Sequence, residues 1–215
     1  MTEPSKKYRT GKIRERNVEQ ILAAAEHEFV LHGFKGASIQ AIADRAGLPK
    51  ANIHYYFQNK LTLYNAVLEN IIDLWNSLLD EMSEDDDPAL VLEALIRKKV
   101  ELSYTHPRAS KIFAMEIIQG APRLKDYIRS DLRQWLRERT RVIDSWMAQG
   151  KMNRVDPTHL IFLIWSSTQH YADFDAQVLT LLNQAEYEAE DIEHISRTLS
   201  NIILKGCGLK PAVSD

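Results

Sequence analysis

Apolar residues recur along nearly the whole chain at the spacing of one helix face, and this pattern restricts the possible folds more than any other feature. In the first such stretch, the intervals of three and four residues join Val18, Ile21, Leu22, Ala25 and Phe29. No series of stretches alternates apolar and polar residues as consecutive strands would. The sequence therefore predicts an all-α fold.

Glycine, proline and small polar residues indicate where the helices begin and end. Gly33 and Gly47 suit positions just past a helix, and Ser38 is a candidate N-cap. Asp87-Pro88 and Asp156-Pro157 each read as an acidic cap followed by a proline in the first helical position. We predict about nine helices: three in a small N-terminal bundle and six in a larger body. The helices after residue 87 are expected roughly at 88–105, 107–119, 122–149, 157–183 and 188–205.

The net charge of −3 is an average over two different parts of the chain. Residues 1–62 hold ten basic and six acidic side chains, a net of +4, and the remaining 153 residues have a net of −7. A basic start before an acidic body favours an anionic partner for the first part. We expect a basic flexible arm at 1–16, a DNA-binding domain at 17–62 and a ligand-binding and dimerisation domain at 63–210.

Composition excludes several other classes of protein. The single cysteine, Cys207, allows neither an internal disulfide framework nor a CxxC zinc site. No apolar run approaches the roughly 18 residues of a membrane span, and the basic N-terminus lacks the apolar segment of a signal peptide. We therefore expect a cytoplasmic protein without metal or cofactor.

Two short predicted helices with a turn at Gly47 form a candidate helix-turn-helix. Ala43 is small where the helices must approach, and Ile53 anchors the second helix in the core. The outward face of that second helix carries donors suited to phosphates and base edges. The predicted DNA-binding residues are Ser38, Lys50, Ala51, Asn52, His54, Tyr55 and Lys60. We expect Tyr56 and Phe57 to pack rather than to contact DNA.

The order Phe29-x3-Gly33-Phe34-x3-Ser38-Ile39-x2-Ile42-Ala43-x3-Gly47-Leu48-x5-Tyr55-Tyr56-Phe57-x2-Lys60 resembles the N-terminal signature of TetR-type transcriptional regulators. The resemblance implies an all-helical homodimer that binds a palindromic operator in double-stranded DNA and responds to a small molecule. Where the family pattern has Ser-Lys-Glu, this chain has Asn59-Lys60-Leu61, and Asn59 can still cap the next helix.

A polar run inside an otherwise apolar helix is the main candidate for an effector site. Trp165 and Gln169 lie four residues apart on one face, with Ser166 and Asp173 near it. An indole beside a primary amide suits a small planar molecule with an amide edge. The residues alone fit equally well a core tryptophan and hydroxyls that bond back to the i−4 carbonyl.

The body, roughly 64–174, resembles the pyrimidine-utilisation regulators within this family, on Trp165-x2-Thr168-Gln169-His170-Tyr171-Ala172-Asp173-Phe174 and on Phe113-x-Met115-Glu116 before it. That resemblance implies uracil or thymine as effector, a role in pyrimidine metabolism, and repression relieved by the effector. It adds Trp75, Met115 and Glu116 to the ligand site. The dimer interface is predicted on the last two helices, with Ile192, Ile195, Leu199 and Ile202 as contacts.

Three other interpretations account for parts of the sequence. A metalloenzyme would need a third ligand beside His170 and Asp173, which lie three residues apart, and no residue, His159 included, has suitable spacing. A helical protein-interaction module without DNA binding remains the alternative from another class. Within the regulators, the alternative is a sensor of another small metabolite or of a drug.

Overall fold

The computed structural model describes residues 6–76 and 82–211, and in these ranges every regular element is a helix. The chain divides into two compact units, with the division after Asp73. Residues 1–5 of the predicted arm, and Leu78 and Leu79 of the fourth apolar stripe, lie outside the described residues. None of the described helices is long and apolar enough to cross a membrane.

The first unit contains α1 (Lys6–Gly36), α2 (Ile39–Ala46), α3 (Lys50–Tyr56) and most of α4 (Lys60–Asn76). Its core contains most of the predicted apolar stripes: Ile21, Ala25, Phe29, Ile42 and Ile53 are buried, whereas Val18, Leu22 and Ile39 are half-buried. Phe29 packs edge-on against Tyr64, with 4.8 Å between the ring centroids, and Phe34 lies 5.0 Å from the same ring. These contacts join α1 to α4 within the unit.

The second unit contains the end of α4 and six further helices. These are α5 (Pro88–Thr105), α6 (Pro107–Ile118), α7, α8 (Pro157–Asp173), α9 (Asp175–Leu182) and α10 (Ala189–Gly206). Helix α7 consists of Lys125–Tyr127, a π-helical turn at Ile128–Leu132, and Arg133–Ala148. The core joins α5, α7, α8 and α10 and includes Leu92, Ile96, Ile143, Trp146, Leu160, Ile164 and Leu204.

The predicted caps are confirmed. The Ser38 hydroxyl accepts from the Ala41 backbone N–H at 3.0 Å, and Gly47 adopts a left-handed conformation with φ 65°. Asp87 and Asp156 accept from backbone N–H groups of Ala89 and His159 at 2.8 and 2.9 Å, in front of prolines at the first helical position. Each cap satisfies a backbone donor that the helix leaves without a partner.

One predicted helix boundary is wrong. The region expected as one helix at 157–183 is two, because the backbone leaves the helix at Phe174 and the Asp175 carboxylate accepts from the Ala176 N–H at 2.6 Å. The described part of the chain therefore has ten helices, not nine. Residues 6–16, expected to belong to a flexible arm, are helical and continuous with α1. Arg, Lys and Glu dominate this segment and are good helix formers.

Candidate functional site

The helix-turn-helix has the predicted geometry. The backbone N–H of Leu48 donates to the Ala43 carbonyl at 3.1 Å, and that of Gly47 donates to Asp44 at 3.2 Å. A positive φ at Gly47 turns the chain into α3, a conformation that costs residues with a Cβ about 1–2 kcal/mol. Ala43 and Ile53 are fully buried where α2 and α3 meet.

Four of the predicted DNA-binding residues are exposed on α3: Lys50, Ala51, His54 and Tyr55. Tyr55 is 77% exposed, an unusual state for a large aromatic side chain. Asn52 is half-buried, and Ser38, although exposed, already uses its hydroxyl as the α2 cap. The exposed set offers a cation, a phenol and an imidazole on one short helix.

The two aromatic residues after Tyr55 pack as predicted. Phe57 is buried, and the half-buried Tyr56 accepts a hydrogen bond from the Asn17 amide at 3.2 Å through its hydroxyl. Tyr55 lies edge-on to Tyr56 with 5.0 Å between centroids. The contact with α1 fixes the end of α3 and with it the position of Tyr55.

The side chain of Lys60 bonds to other residues of the first unit. Its ammonium donates to the carbonyls of Lys35 and Ala37 at 3.1 and 2.9 Å, and it lies 4.9 Å from the Phe34 ring centroid. Cations stabilise the carbonyl end of a helix. Lys60 thus holds the end of α1 against the start of α4, and we assign it this positioning role instead of a phosphate contact.

In the second unit, the three predicted residues Trp165, Gln169 and Asp173 follow one flank of α8 at four-residue spacing. Trp165 stacks on Trp135 of α7, with 5.6 Å between centroids, at one end of this flank. At the other end, the Ser110 hydroxyl of α6 donates to Asp173 Oδ1 at 2.5 Å. Gln169 is half-buried between them.

The hydroxyls of the polar run mostly bond back to their own helix. Ser166 and Ser167 donate to the Leu163 carbonyl at 3.2 and 2.7 Å, and the buried Thr168 donates to Ile164 at 2.7 Å. Ser166 is exposed. These hydroxyls therefore bond back to their own helix, as in the alternative that the residues alone also allowed. We do not place Ser166 in the effector site.

A group that the sequence analysis missed lies beside the predicted Trp75. Lys99 of α5 is 4% exposed, and its ammonium lies 4.2 Å from the Trp75 ring centroid. The Trp75 ring stacks on Phe113 of α6 with 5.5 Å between centroids. Lys99 directly follows Arg97 and Lys98, and nothing in this local sequence distinguishes it as the buried residue of the three.

Lys99 and Trp75 line a small cavity of about 10 Å³, together with Leu74, Leu102, Ser103, His106 and Ser110. Space of this size admits about one water molecule. Ser103 also lines an open groove of about 490 Å³, whose walls include the aromatic side chains Tyr104, Tyr171 and Tyr187. A pyrimidine therefore enters the inner cavity only if the side chains around it move.

Burial controls the ionisation of the two charged groups near this cavity. It lowers the pKa of Lys99 to about 7, although the negative charge of Asp173 opposes the change. Burial also raises the pKa of Asp173, against the hydrogen bond from Ser110 and the nearby positive charges. Perturbed pKa values of this kind concentrate at binding and catalytic sites.

The remaining ligand candidates are less suited to the site. Glu116 is buried, but its carboxylate accepts from the Arg123 backbone N–H at 2.8 Å and lies 3.6 Å from the Arg123 guanidinium. It therefore holds the loop after α6, and we do not place it in the effector site. Met115 is half-buried on α6.

The predicted dimer contacts on α10 differ in accessibility. Ile202 is 65% exposed, whereas Ile195 is buried in the protomer itself. Leu199 packs partly against the core, and Ile192 is half-buried. Apolar exposure continues on α8, where Phe162 and Leu163 are 43% and 51% exposed. Because Ile195 is buried within the protomer, we leave it out of the candidate interface.

No group of three His, Cys, Asp or Glu side chains within the described residues is placed to hold a metal ion. The buried Cys207 thiol has a pKa raised by burial, which opposes formation of the reactive thiolate.

Comparisons with known proteins agree with this architecture. Residues 21–67 match the model of bacterial regulatory proteins, tetR family, and residues 68–210 match that of the YcdC-like protein, C-terminal region. The chain is 40% identical over 190 residues to the HTH-type transcriptional regulator RutR of Escherichia coli K12, which covers 86% of this chain and 88% of that protein. RutR of Shigella flexneri gives the same values.

Solved structures share the fold at lower identity. AibR in complex with isovaleryl coenzyme A and operator DNA has a TM-score of 0.65 at 18% identity, covering 86% of this chain and 97% of AibR. The regulator SCO4942 of Streptomyces coelicolor has a TM-score of 0.68 at 20% identity, covering 89% and 98%. The relatives regulate transcription and are not enzymes. The chain belongs to the TetR family of ligand-responsive, DNA-binding transcriptional regulators.

Proposed function

We propose that the chain is a dimeric repressor of pyrimidine metabolism genes, released from its operator by uracil, thymine or a similar small planar molecule. The observation that carries the proposal is the flank of α8 formed by Trp165, Gln169 and Asp173, which leads to a buried polar cluster beside Trp75. The identity to RutR over most of the chain supports the same conclusion.

In this proposal, residues 17–62 bind DNA and residues 63–210 bind the effector and form the dimer. Two copies related by a two-fold axis present two α3 helices to successive major grooves, so the operator is palindromic. Ile202 of α10, with Phe162 and Leu163 of α8, provides exposed apolar surface for the partner copy. The net charge of +4 in residues 1–62 is doubled in the dimer.

Effector binding is proposed to act through α4. This helix begins at Lys60 in the first unit and carries Trp75 in the second, so a ligand that displaces the Trp75 ring acts on a helix continuous with the DNA-binding domain. The inner cavity must widen to admit a ring. By linkage, operator DNA must then weaken effector binding by the same factor as the effector weakens DNA binding.

Two exposed residues on α3 test the DNA-binding surface. Lys50→Ala and Tyr55→Ala are each expected to weaken operator binding by about 10-fold or more, because each removes a phosphate or base contact worth about 1–3 kcal/mol. The measurement is a gel-shift titration at fixed salt on a duplex selected from random DNA by the wild type.

Lys125→Ala is the matched control, since Lys125 is an exposed lysine of the second unit. It should bind the duplex as the wild type does, and all three variants should keep the dimer mass in sedimentation. Undiminished binding by both α3 variants would remove these residues from the interface.

Gln169 tests the effector side of the proposal. Gln169→Ala is expected to abolish the increase in Tm that uracil gives the wild type, because the side-chain amide pairs with the imide edge of the ring. Operator affinity without uracil should be unchanged. A variant that uracil still stabilises would exclude this pairing.

A drug or lipid sensor within the same family is the second candidate. The open groove of about 490 Å³ lined by three tyrosines is the observation that favours it. A Tm screen separates the two candidates, because only the pyrimidine proposal expects uracil and thymine to stabilise the protein.

A further inference from the structure

The ammonium group of Lys99 lies in the second unit beside the inner cavity, and its burial is not explained by any ion pair. The residue is 4% exposed, and its ammonium lies over the face of Trp75, 4.2 Å from the ring centroid. Within the described residues its Nζ forms no hydrogen bond and no ion pair. An ammonium carries three donors, and burying them without acceptors is unfavourable. A ligand that reaches the cavity and supplies an acceptor would satisfy these donors.

Asp173 offers the complementary group on the facing helix. Its Oδ1 accepts from Ser110, whereas its Oδ2 has no donor among the described residues. Its negative charge acts on Lys99, although the two groups are not in contact. Ser110, which donates to Asp173, also lines the cavity beside Lys99, so the carboxylate lies next to the cavity wall.

The charge of this pair indicates the class of ligand. The Asp173 carboxylate already compensates the Lys99 ammonium, so a further anion would leave an unbalanced negative charge in a buried site. A neutral ligand that carries both an acceptor and a donor preserves the balance. A carbonyl next to an N–H in a ring, which is a cis-amide edge, presents the two groups side by side.

We propose that Lys99 and Asp173 together recognise a cis-amide edge of the effector, with the Lys99 ammonium donating to a ring carbonyl oxygen and Asp173 Oδ2 accepting from the adjacent ring N–H. This inference rests on the proposed function and specifies its ligand class as neutral cyclic amides and imides. Uracil and thymine have three such adjacent pairs, and two of them, N1–H with C2=O and N3–H with C4=O, share no group. One of these two faces Lys99 and Asp173, and Gln169 pairs with the other.

The arrangement also explains how the cavity opens. Lys99 covers one face of Trp75 while Phe113 stacks on the ring, and a planar ligand that takes over the face held by Lys99 moves the ammonium to its carbonyl. The flexible four-carbon stem of lysine permits this movement. The exchange replaces a cation–π contact by a charged hydrogen bond.

The test is calorimetric titration of the full-length protein with uracil at pH 7. Lys99→Met keeps the length of the stem and removes the donors, and Asp173→Asn keeps the shape and removes the charge. Each is expected to lower uracil affinity by about 10- to 100-fold, as the loss of a charged hydrogen bond predicts. Lys98→Met is the matched control, because Lys98 is exposed and pairs with Glu101 at 3.0 Å, and it should bind as the wild type does.

A ligand series separates this inference from the proposed function. The series is uracil, hydantoin and 2-pyridone, which carry a cis-amide edge, and 1,3-dimethyluracil, which has none. Binding of the first three but not of the fourth supports the inference. If the wild type binds hydantoin or 2-pyridone but not uracil, the pyrimidine proposal fails, and the inference is then decided by Lys99→Met and Asp173→Asn with the ligand that binds. Equal affinity of the wild type and both variants for every ligand, or no binding of any cyclic amide, overturns it.

Discussion

Trp146→Ala is expected to lower the free energy of unfolding of the second unit by about 3–5 kcal/mol, the range found for loss of a buried aromatic side chain. Trp146 of α7 is fully buried in the core that joins α5, α7, α8 and α10, and it is the largest fully buried side chain of the described residues. Its indole N–H also donates to the Ser83 carbonyl at 3.1 Å, so the loop before α5 loses a hydrogen bond as well. Urea unfolding followed by circular dichroism measures the effect.

Two further variants are expected to lower the free energy of unfolding less than Trp146→Ala does. Trp146→Phe keeps most of the apolar volume but loses the hydrogen bond to Ser83, and we expect a loss of about 1–3 kcal/mol. Leu90→Ala removes a side chain of α5 that is 56% exposed and should change the free energy by less than about 0.5 kcal/mol. Protein concentration is held fixed, since a dimer gains stability by mass action. A Trp146→Ala loss no larger than that of Leu90→Ala would contradict the central role of this side chain.

The features that the sequence predicts correctly are those that local chemistry decides. Ser38, Asp87 and Asp156 cap their helices through backbone N–H groups two or three residues away, so the capping partner is already present in the local sequence. Gly47 takes a positive φ because the turn after α2 requires it. The apolar stripe of α1 likewise determines which of its faces is buried.

Helix boundaries without glycine or proline could not be predicted. The break between α8 and α9 at Phe174 has neither residue, and the apolar pattern continues across it through Val178 and Leu179. The N-cap position of α9 is Phe174, which has no capping side chain, and Asp175 is already the first helical residue. Only the conformation of the backbone at Phe174 separates the two helices.

Side-chain partners far away in sequence were also beyond prediction. Lys98 and Lys99 are neighbours of the same type, yet the first is exposed and the second is buried against Trp75. The helices that pack on α5, mainly α8 and α10, decide which of the two is covered, and they are distant in sequence. Lys60 resembled a phosphate contact until its carbonyl partners at the end of α1 were known. Glu116 resembled a ligand contact until the backbone of Arg123 was seen to bind it.

Lys99→Met is expected to stabilise the second unit at neutral pH, although the same change removes the proposed effector contact. Burial lowers the pKa of Lys99 to about 7 in the folded protein, against 10.5 for an ordinary lysine. A difference of this size lowers the free energy of unfolding by up to about 5 kcal/mol. The full loss applies below pH 7, where both the folded and the unfolded states carry the charge. Methionine fills a similar volume without a charge.

The pH dependence identifies the cause of the stabilisation. Between about pH 7 and 10.5 the unfolded wild type holds a proton on Lys99 that the folded state releases, so wild-type stability rises with pH in this window. Asp173 opposes the shift, and His106 is a further titratable group that lines the cavity. The advantage of Lys99→Met over the wild type should therefore shrink by about 2–3 kcal/mol between pH 7 and 9 in parallel urea titrations.

Lys98→Met is the control that makes this result specific to burial. Lys98 is exposed and takes part in a surface ion pair with Glu101, so its replacement should change stability by less than about 1 kcal/mol at every pH. An advantage of Lys99→Met that does not change with pH would exclude a buried ammonium as its source. A gain in stability that accompanies the loss of uracil binding would instead show that the chain retains a destabilising charge at this position for the recognition of its effector.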